Sequence, residues 1–168
     1  MGDVKDIFGK EAIAKLKKLA EDIKVCMFCT ELTSLPINSR PMSIREVDEE
    51  GNLWFMSSKK SNKNFEIGSD NRVQLFFSKL SDAHFLSVYG NASIYRDKEK
   101  IKELWTPIAN AWVEDGKDDP DLTVIKIEPS NAYYWDEKDG RAVSLLKIAA
   151  AMVTGSKNDG GVEGTLTV

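Results

Sequence analysis

Three serines and a lysine lie within seven residues of one another, close enough to surround an anion: Ser57, Ser58, Ser61 and Lys63. An apolar run ends at these serines and an apolar-periodic segment follows them, which predicts a strand that leads into a helix N-terminus. A phosphate needs hydroxyl or N–H donors and a cation, and the free N–H groups of a helix start favour the same charge. The alternative is a solvated basic turn, and spacing alone favours neither interpretation.

A second cation, Arg40, lies on a segment predicted to pair with this strand. Residues 35–47 are predicted as a strand, and a hairpin at the turn cluster 48–52 joins it to the next strand, 53–56. This hairpin places Arg40 near the strand end that carries the serines. Pro41 removes one N–H from the ladder, which favours an edge, a bulge or a bend. The added cation favours the anion site over the solvated turn.

Two cysteines and one histidine are the other candidates for chemistry. Cys26 and Cys29 form a C-x-x-C motif, but a metal site needs two more good ligands, and the chain has one histidine, His84. A redox dithiol normally lies at a helix N-terminus, whereas this motif lies in an apolar β-run. We therefore interpret the cysteines as buried strand residues and His84 as a structural or surface residue, and we predict no metal site.

The elements that position these residues alternate between two periodicities. Helical spacing of apolar residues predicts an opening helix around 13–23, a crossover helix capped by Asp97 and carrying Trp105 and Trp112, and a closing helix over 142–153. Short apolar or alternating runs predict the strands, which are 25–30, 35–47, 53–56, 73–77, 85–95 and 122–127 with a continuation over 132–135. This pattern favours an α+β fold, an antiparallel six-stranded β-barrel with flanking helices.

Bulk properties restrict the class of protein. A chain of 168 residues is long enough for one domain, 1–168, and we expect the tail 155–168 to be less ordered. The net charge of -4 and the pI near 5.2 argue against nucleic-acid binding and against a polybasic membrane-surface protein. The start of the chain lacks the pattern of a signal peptide, and two cysteines fit a reducing compartment, so we expect a cytoplasmic protein.

Several short motifs, taken in order along the chain, together resemble one protein family. They are Arg40-Pro41-Met42, Leu53-Trp54-Phe55-Met56-Ser57-Ser58 with Lys63, Val88-Tyr89-Gly90-Asn91-Ala92, Asp97 with Leu104-Trp105 and Trp112, Gly116 with Asp118-Asp119-Pro120, Tyr134-Trp135-Asp136, and Gly161 with Gly164-Thr165-Leu166. The ordered set resembles the pyridoxamine 5′-phosphate oxidase-like flavoproteins of the FMN-binding split-barrel fold, and within them the bacterial general-stress-protein branch.

The resemblance implies a homodimer with FMN at the subunit interface. It assigns the flavin phosphate to Ser57, Ser58 and Lys63. It places Arg40, Pro41 and Met42 along the ring, Phe55 and Met56 beneath it, and Trp105 and Trp135 on the second subunit. These ten residues are the cofactor-binding set that the resemblance implies.

The function implied is that of a flavin-dependent oxidoreductase acting on a small molecule, with NAD(P)H as the expected reductant. The sequence departs from true vitamin B6 oxidases, because its tail from Lys147 to Val168 lacks the histidine and arginine that grip their substrate. Pyridoxamine phosphate oxidation is therefore not expected, and no catalytic residue is assigned. Two alternatives stay open: an FMN-binding, flavin-buffering stress protein without a substrate, and a barrel that has lost its flavin and serves as an interaction module.

Overall fold

The computed structural model describes residues 3–107, 109, 113, 116–137 and 161–168. Its helices are α1 (Gly9–Ile23), α2 (Asn62–Ser69) and α3 (Lys98–Leu104), with a 3-10 turn at Gly116–Asp118. Its strands are β1 (Asp3–Val4), β2 (Ile7–Phe8), β3 (Val25–Thr30), β4 (Asn38–Val47), β5 (Leu53–Ser58), β6 (Arg72–Lys79), β7 (His84–Tyr95), β8 (Leu122–Glu137) and β9 (Gly161–Thr167).

Six of these strands close into an antiparallel barrel. Around the barrel they follow the order β8, β5, β4, β3, β6, β7, and pairing between β7 and β8 closes the ring. The strand β9 pairs with the far end of β8, and β1 and β2 pair with β9 in parallel. The predicted α+β class and the antiparallel six-stranded barrel are both confirmed.

The core fills the barrel because alternate residues of each strand point inward. Phe28 of β3 and Phe55 of β5 are fully buried there, with ring centroids 5.4 Å apart in an edge-to-face arrangement. The apolar face of α1 covers one side of this core with Leu16 and Leu19. The predicted opening helix is confirmed, and its period of apolar residues identified the buried face.

The strand β4 changes neighbours along its length, which explains its proline. Its first part pairs with β3, and its pairing with β5 begins only at Ile44. Pro41 lies in the part with a strand on one side only, where a missing N–H is tolerated. A register shift between Ile44 and Glu46 then forms a bulge. The expected edge, bulge or bend is confirmed, and it leaves the Arg40 end of β4 separated from β5.

A bulge in β8 lies opposite Gly90 of β7, with Ser130 as its unpaired residue. The register between β7 and β8 shifts between Tyr89 and Gly90. A Cβ at position 90 would lie 2.3 Å from the carbonyl oxygen of Glu128, so the backbones approach too closely for any other residue. This close approach lets β8 continue as one strand of 16 residues rather than as two shorter ones.

The chain after α3 differs from the expected crossover helix. Asp97 caps the helix by accepting from the N–H groups of Glu99 and Lys100, as predicted. The helix ends at Leu104, and Trp105 is extended because the residues before Pro107 are disfavoured in a helix. Trp105 is therefore not helical, and Trp112 lies outside the described residues.

The end of the chain also differs from expectation. Residues 161–167 form the strand β9 rather than a loose tail, because Gly164 lets the backbone pass against Lys5: a Cβ there would lie 2.1 Å from the carbonyl oxygen of Lys5. The predicted helix over 142–153 and the tail residues 155–160 lie outside the described residues. No helix in the described ranges combines the length and the apolar character required to cross a membrane.

Candidate functional site

The helix α2 places the candidate residues at one end of the barrel. It follows β5 directly after the turn at Lys59–Ser61, and Ser61 occupies its N-cap position. Its side chain makes no N-cap hydrogen bond, and the Ser61 hydroxyl donates to the side-chain oxygen of Asn64, 3.0 Å away. Two polar clusters therefore form on α2, one with β5 and β8 and the other with β3 and β4.

The first, which we call the neutral cluster, comprises Ser57, Ser61, Asn64 and Thr123. Ser57 Oγ donates to Asn64 Oδ1 at 2.7 Å and lies 3.1 Å from Ser61 Oγ. Asn64 Nδ2 donates to Thr123 Oγ1 at 3.0 Å, and that hydroxyl donates to the Ser57 carbonyl at 3.0 Å. Ser57, Asn64 and Thr123 are buried. The Ser57 hydroxyl therefore faces inward and joins the helix to the barrel.

The second, which we call the charged cluster, comprises Thr30, Asn38, Arg40, Lys63 and Glu66. Arg40 donates to Glu66 Oε2 at 2.7 Å and to Thr30 Oγ1 at 2.6 Å. The Glu66 carboxylate also accepts from Thr30 at 2.5 Å and from Asn38 at 3.2 Å. These hydrogen bonds join α2 to the facing ends of β3 and β4, and the Arg40–Thr30 bond joins the two strand ends to each other.

Lys63 lies beside Arg40 one helical turn before Glu66, and it is half-buried. No hydrogen bond or ion pair engages its ammonium among the residues that the structure describes. Burial lowers the pKa of Lys63, the neighbouring Arg40 lowers it further, and Glu66 opposes both. The charged cluster thus holds two cations against one carboxylate, and an anion bound here would restore the balance.

The remaining residues of the predicted phosphate segment lie at its surface. Ser58 is exposed at the end of β5, and its hydroxyl accepts from the Lys60 N–H at 3.3 Å. Lys59 and Lys60 both form ion pairs with Asp121, the former at 2.6 Å. These two lysines pair with Asp121 on the side of the turn facing β8, so Lys63 is the lysine of this segment that faces Arg40.

The residues expected along a flavin ring divide between two faces of the sheet. Pro41 is exposed on β4, and Met42 is half-buried against the core. Phe55 points into the barrel and is fully buried, so its ring packs against protein alone. Met56 points to the opposite face, where it packs with residues of α3 and β8. Phe55 and Met56 therefore cannot both border the same ligand through their side chains.

The two tryptophans lie away from these clusters within one chain. Trp105, half-buried at the end of α3, packs against the same small apolar cluster of α3 and β8 as Met56. Trp135 is 40% exposed and contacts Tyr133, with ring centroids 4.7 Å apart. It lies twelve residues along β8 from Thr123, a separation of up to about 40 Å in an extended strand. One chain does not bring Trp135 to Arg40 and Lys63.

Sequence reasoning missed the partners that complete both clusters, above all Glu66. Lys63 and Glu66 are three residues apart on a predicted helix, and this spacing in the sequence indicates that they share a face. Thr30, Asn38 and Thr123 gave no such signal, because their contacts join segments distant in sequence.

Comparison with known proteins places the chain in a family. The family model for "Pyridoxamine 5'-phosphate oxidase like" proteins matches residues 11–159. The chain belongs to this family. The match covers the barrel strands β3 to β8 and the helix α2, and so includes both polar clusters.

Curated relatives include two proteins of different origin. General stress protein 26 of Bacillus subtilis is 30% identical over 97 residues, which cover 55% of this chain and 68% of the relative. Protein bli-3 of Neurospora crassa is 25% identical over 126 residues, which cover 70% of this chain. The alignment spans 60% of the length of the Neurospora protein.

Solved structures share the fold. A general stress protein 26 from Jannaschia sp. CCS1 superposes with a TM-score of 0.80 at 24% identity and covers 94% of this chain and 99% of its own. A protein from Xanthomonas citri, described as a general stress FMN/FAD binding protein, has a TM-score of 0.65 at 27% identity. That match covers 76% of this chain and 90% of the Xanthomonas protein.

Proposed function

We propose that this protein binds FMN at the end of the barrel where α2 meets β4 and β5, and that it acts there as a flavin-dependent oxidoreductase. The observation that carries the proposal is the half-buried ammonium of Lys63, which lies beside Arg40 without a carboxylate of its own in the described part of the chain. A buried cation next to another cation is stabilised by an anion.

The donors around Lys63 suit a phosphate monoester. Lys63 and Arg40 supply two charges, and the exposed Ser58 hydroxyl supplies a neutral donor at the adjoining strand end. Ser57 can join them only by exchanging its bond to Asn64, so its main role in this proposal is to position β5 against α2. FMN ends in a phosphate dianion that can use both cations, whereas the diphosphate of FAD is esterified on both sides.

The flavin class is supported by the family and by the Xanthomonas relative, whose description names FMN/FAD binding. A bound flavin supplies hydride or electron transfer at its ring. In the proposed site the backbone of β4 at Pro41 and Met42 orients that ring, and Met56 contributes from the outer face of β5. The reductant or substrate is a small molecule, with NAD(P)H as the first choice to test.

A homodimer is the second part of the proposal. Pro41 on β4 pairs with Met27 on β3, which pairs with Phe76 on β6, so the three side chains form one row across the outer face. Met27 is 43% exposed and Phe76 51% exposed. Exposed apolar rows favour association, and this one adjoins Arg40. A second copy seated there would bring its own residues, including Trp105 or Trp135, toward the flavin.

One observation favours the flavin-buffering alternative. The acidic group in the described part of the charged cluster is Glu66, and Arg40, Thr30 and Asn38 all engage it. No carboxylate of this cluster is free to move a proton during turnover in the described part of the chain. Flavin chemistry can proceed with few catalytic side chains, so this observation supports a carrier without excluding an enzyme. Both roles are proposed for the cytoplasm, which suits the free thiols of Cys26 and Cys29.

The absorbance spectrum of the purified full chain, followed by titration with FMN and riboflavin, tests the proposal. We expect a yellow protein, or uptake of one FMN per chain with an affinity well above that for riboflavin. A colourless protein that takes up neither ligand overturns flavin binding altogether. If FMN binds, consumption of NAD(P)H under oxygen identifies an enzyme, and its absence identifies a flavin carrier.

The dimer is tested by light scattering on the variant Met27→Glu beside Leu80→Glu as its control. Leu80 is 82% exposed but lies in the turn between β6 and β7, away from the row. Met27→Glu is expected to yield monomers with weakened FMN binding, and Leu80→Glu to behave as the parent protein. A monomeric parent, or a Met27→Glu variant that stays dimeric, contradicts this interface.

A further inference from the structure

We propose that Asp22, Asp82 and His84 form a binding site for one divalent cation of the Zn²⁺ type, at the barrel end opposite α2. Asp22 lies in the last turn of α1, Asp82 in the turn between β6 and β7, and His84 at the first position of β7. The eight residues of β6, roughly 25 Å of extended strand, lie between α2 and this proposed site. The flavin proposal does not involve these residues.

The ligand atoms of the three side chains already converge. One imidazole nitrogen and one oxygen of each carboxylate all lie within 4.8 Å of one another. Ligands at about 2.0–2.2 Å from a tetrahedral zinc lie roughly 3.5 Å apart, so modest side-chain rotations close the site. Asp82 lies on a partly exposed turn, which allows that movement. Imidazole with carboxylates is a ligand set for zinc and similar metals rather than for Mg²⁺.

His84 is oriented as metal-binding histidines are. Its Nε2 lies 2.9 Å from Asp136 Oδ1, and Asp136 also forms an ion pair with Lys15. A ring that donates from Nε2 carries its lone pair on Nδ1, so Asp136 fixes the tautomer and directs Nδ1 toward the other two ligands. A carboxylate that orients a histidine in this way is the usual outer-shell partner of a metal ligand.

In the described structure no hydrogen-bond donor reaches the lone pair of His84 Nδ1. Nδ1 is buried without a hydrogen-bond partner, and it faces Asp22 Oδ2 at 3.4 Å. A metal ion between these two atoms would accept the Nδ1 lone pair and neutralise the carboxylate. This orphaned nitrogen, in addition to the two carboxylates, indicates a ligand position.

A cation already lies between the carboxylates. The Lys79 ammonium bonds both oxygens of Asp22 at 2.9 Å and lies 2.6 Å from Asp82. A metal replaces this ammonium, and the flexible lysine side chain turns to solvent. Lys79 is therefore the competitor of the metal.

Titration of the chelator-treated full chain with ZnCl₂ and with CoCl₂ tests the site. Because His84 is the single histidine of the chain, one imidazole signal in a nitrogen-15 NMR spectrum reports its occupancy. We expect one metal per chain with micromolar affinity, a shift of the His84 Nδ1 resonance, and a cobalt spectrum without a thiolate charge-transfer band. No binding up to millimolar zinc, or a thiolate band from Cys26 and Cys29, overturns the site.

Three variants identify the ligands. Asp82→Asn on the exposed turn is expected to weaken zinc binding about tenfold or more, the effect of losing a charged ligand. Lys79→Ala is expected to strengthen it about tenfold, because the competing ammonium is gone. Glu99→Gln removes a carboxylate on α3, outside the proposed site, and should leave the affinity within about twofold. Equal zinc affinity in the parent, Asp82→Asn and Lys79→Ala proteins overturns the proposal and indicates nonspecific surface binding.

Discussion

The two polar clusters on α2 differ in how fully their groups are paired. In the neutral cluster, Asn64 accepts from two serines and donates to Thr123, and three of its four residues are buried. In the charged cluster, Glu66 is fully engaged by Arg40 and its neighbours, whereas Lys63 is half-buried and without a partner in the described part of the chain. One helix thus carries a closed set of hydrogen bonds and an open one.

This difference in pairing indicates that the two clusters on α2 have different roles. A buried polar group stabilises a fold only when its partners are all present, as around Asn64. An incomplete set such as that around Lys63 costs stability unless a ligand completes it. The neutral cluster therefore attaches α2 to the barrel, and the charged cluster is the place where an anion would be held.

Asn64→Ala is expected to have the largest effect, because it disrupts the attachment of α2 to the barrel. The change leaves the Ser57 hydroxyl and Thr123 without the amide between them. The free energy of unfolding should fall by about 3 kcal/mol, since each buried polar group left unpaired costs roughly 1–3 kcal/mol. Urea denaturation measures the loss. Asn62→Ala, at the exposed first position of α2, is the control and should change stability by less than about 0.5 kcal/mol.

Lys63→Ala is expected to have the next largest effect, and it acts on binding. FMN affinity should fall by about 1.5–3 kcal/mol, the value of a charge-assisted hydrogen bond, while riboflavin affinity stays unchanged. Quenching of flavin fluorescence measures both. Lys60→Ala is the matched control, because Lys60 pairs with Asp121 on the other side of the turn. Equal losses for FMN and riboflavin would refute the phosphate role of Lys63.

Glu66→Gln tests the charged cluster by removing the carboxylate that pairs with Arg40. The change removes a negative charge beside the proposed phosphate, a repulsion worth about 1 kcal/mol between charges roughly 4 Å apart in water. FMN should therefore bind about 1 kcal/mol more tightly, with riboflavin unaffected. The fold should lose stability, because Arg40 loses its carboxylate. Weaker FMN binding in this variant would show that Glu66 orients Arg40 rather than competing with the phosphate.

The pH dependence of FMN binding is the smallest expected effect. Burial and Arg40 lower the pKa of Lys63, so its charge is lost at a lower pH than that of a free lysine, about 10.4. FMN affinity should decline as the pH rises through that lowered pKa, and the decline should be absent in Lys63→Ala. Without ligand the sign reverses: the folded state disfavours the ammonium, so the free energy of unfolding rises between the lowered pKa and about 10.4.

The sequence predicted the elements well where one face of each is buried. The period of Leu16 and Leu19 identified α1, and the apolar run at Val25–Thr30 gave β3 with its bounds unchanged. Pro41 predicted an irregular strand, and β4 is indeed paired on one side at that residue. Periodicity predicted a helix through Trp105, but the helix ends at Leu104, before Pro107. It also missed the strand at Gly161–Thr167, because the glycines there are typical of a loop.

By itself the sequence determined the barrel class, the order of the elements and the polar segment at the end of β5, because these depend on local periodicity and on turn residues. Only the tertiary structure decided which polar groups are already satisfied. Ser57 faces inward because Asn64 and Thr123 meet it there, and Lys63 faces Arg40 because α2 crosses the ends of β3 and β4. Such pairings join residues far apart in the chain, and no local pattern encodes them.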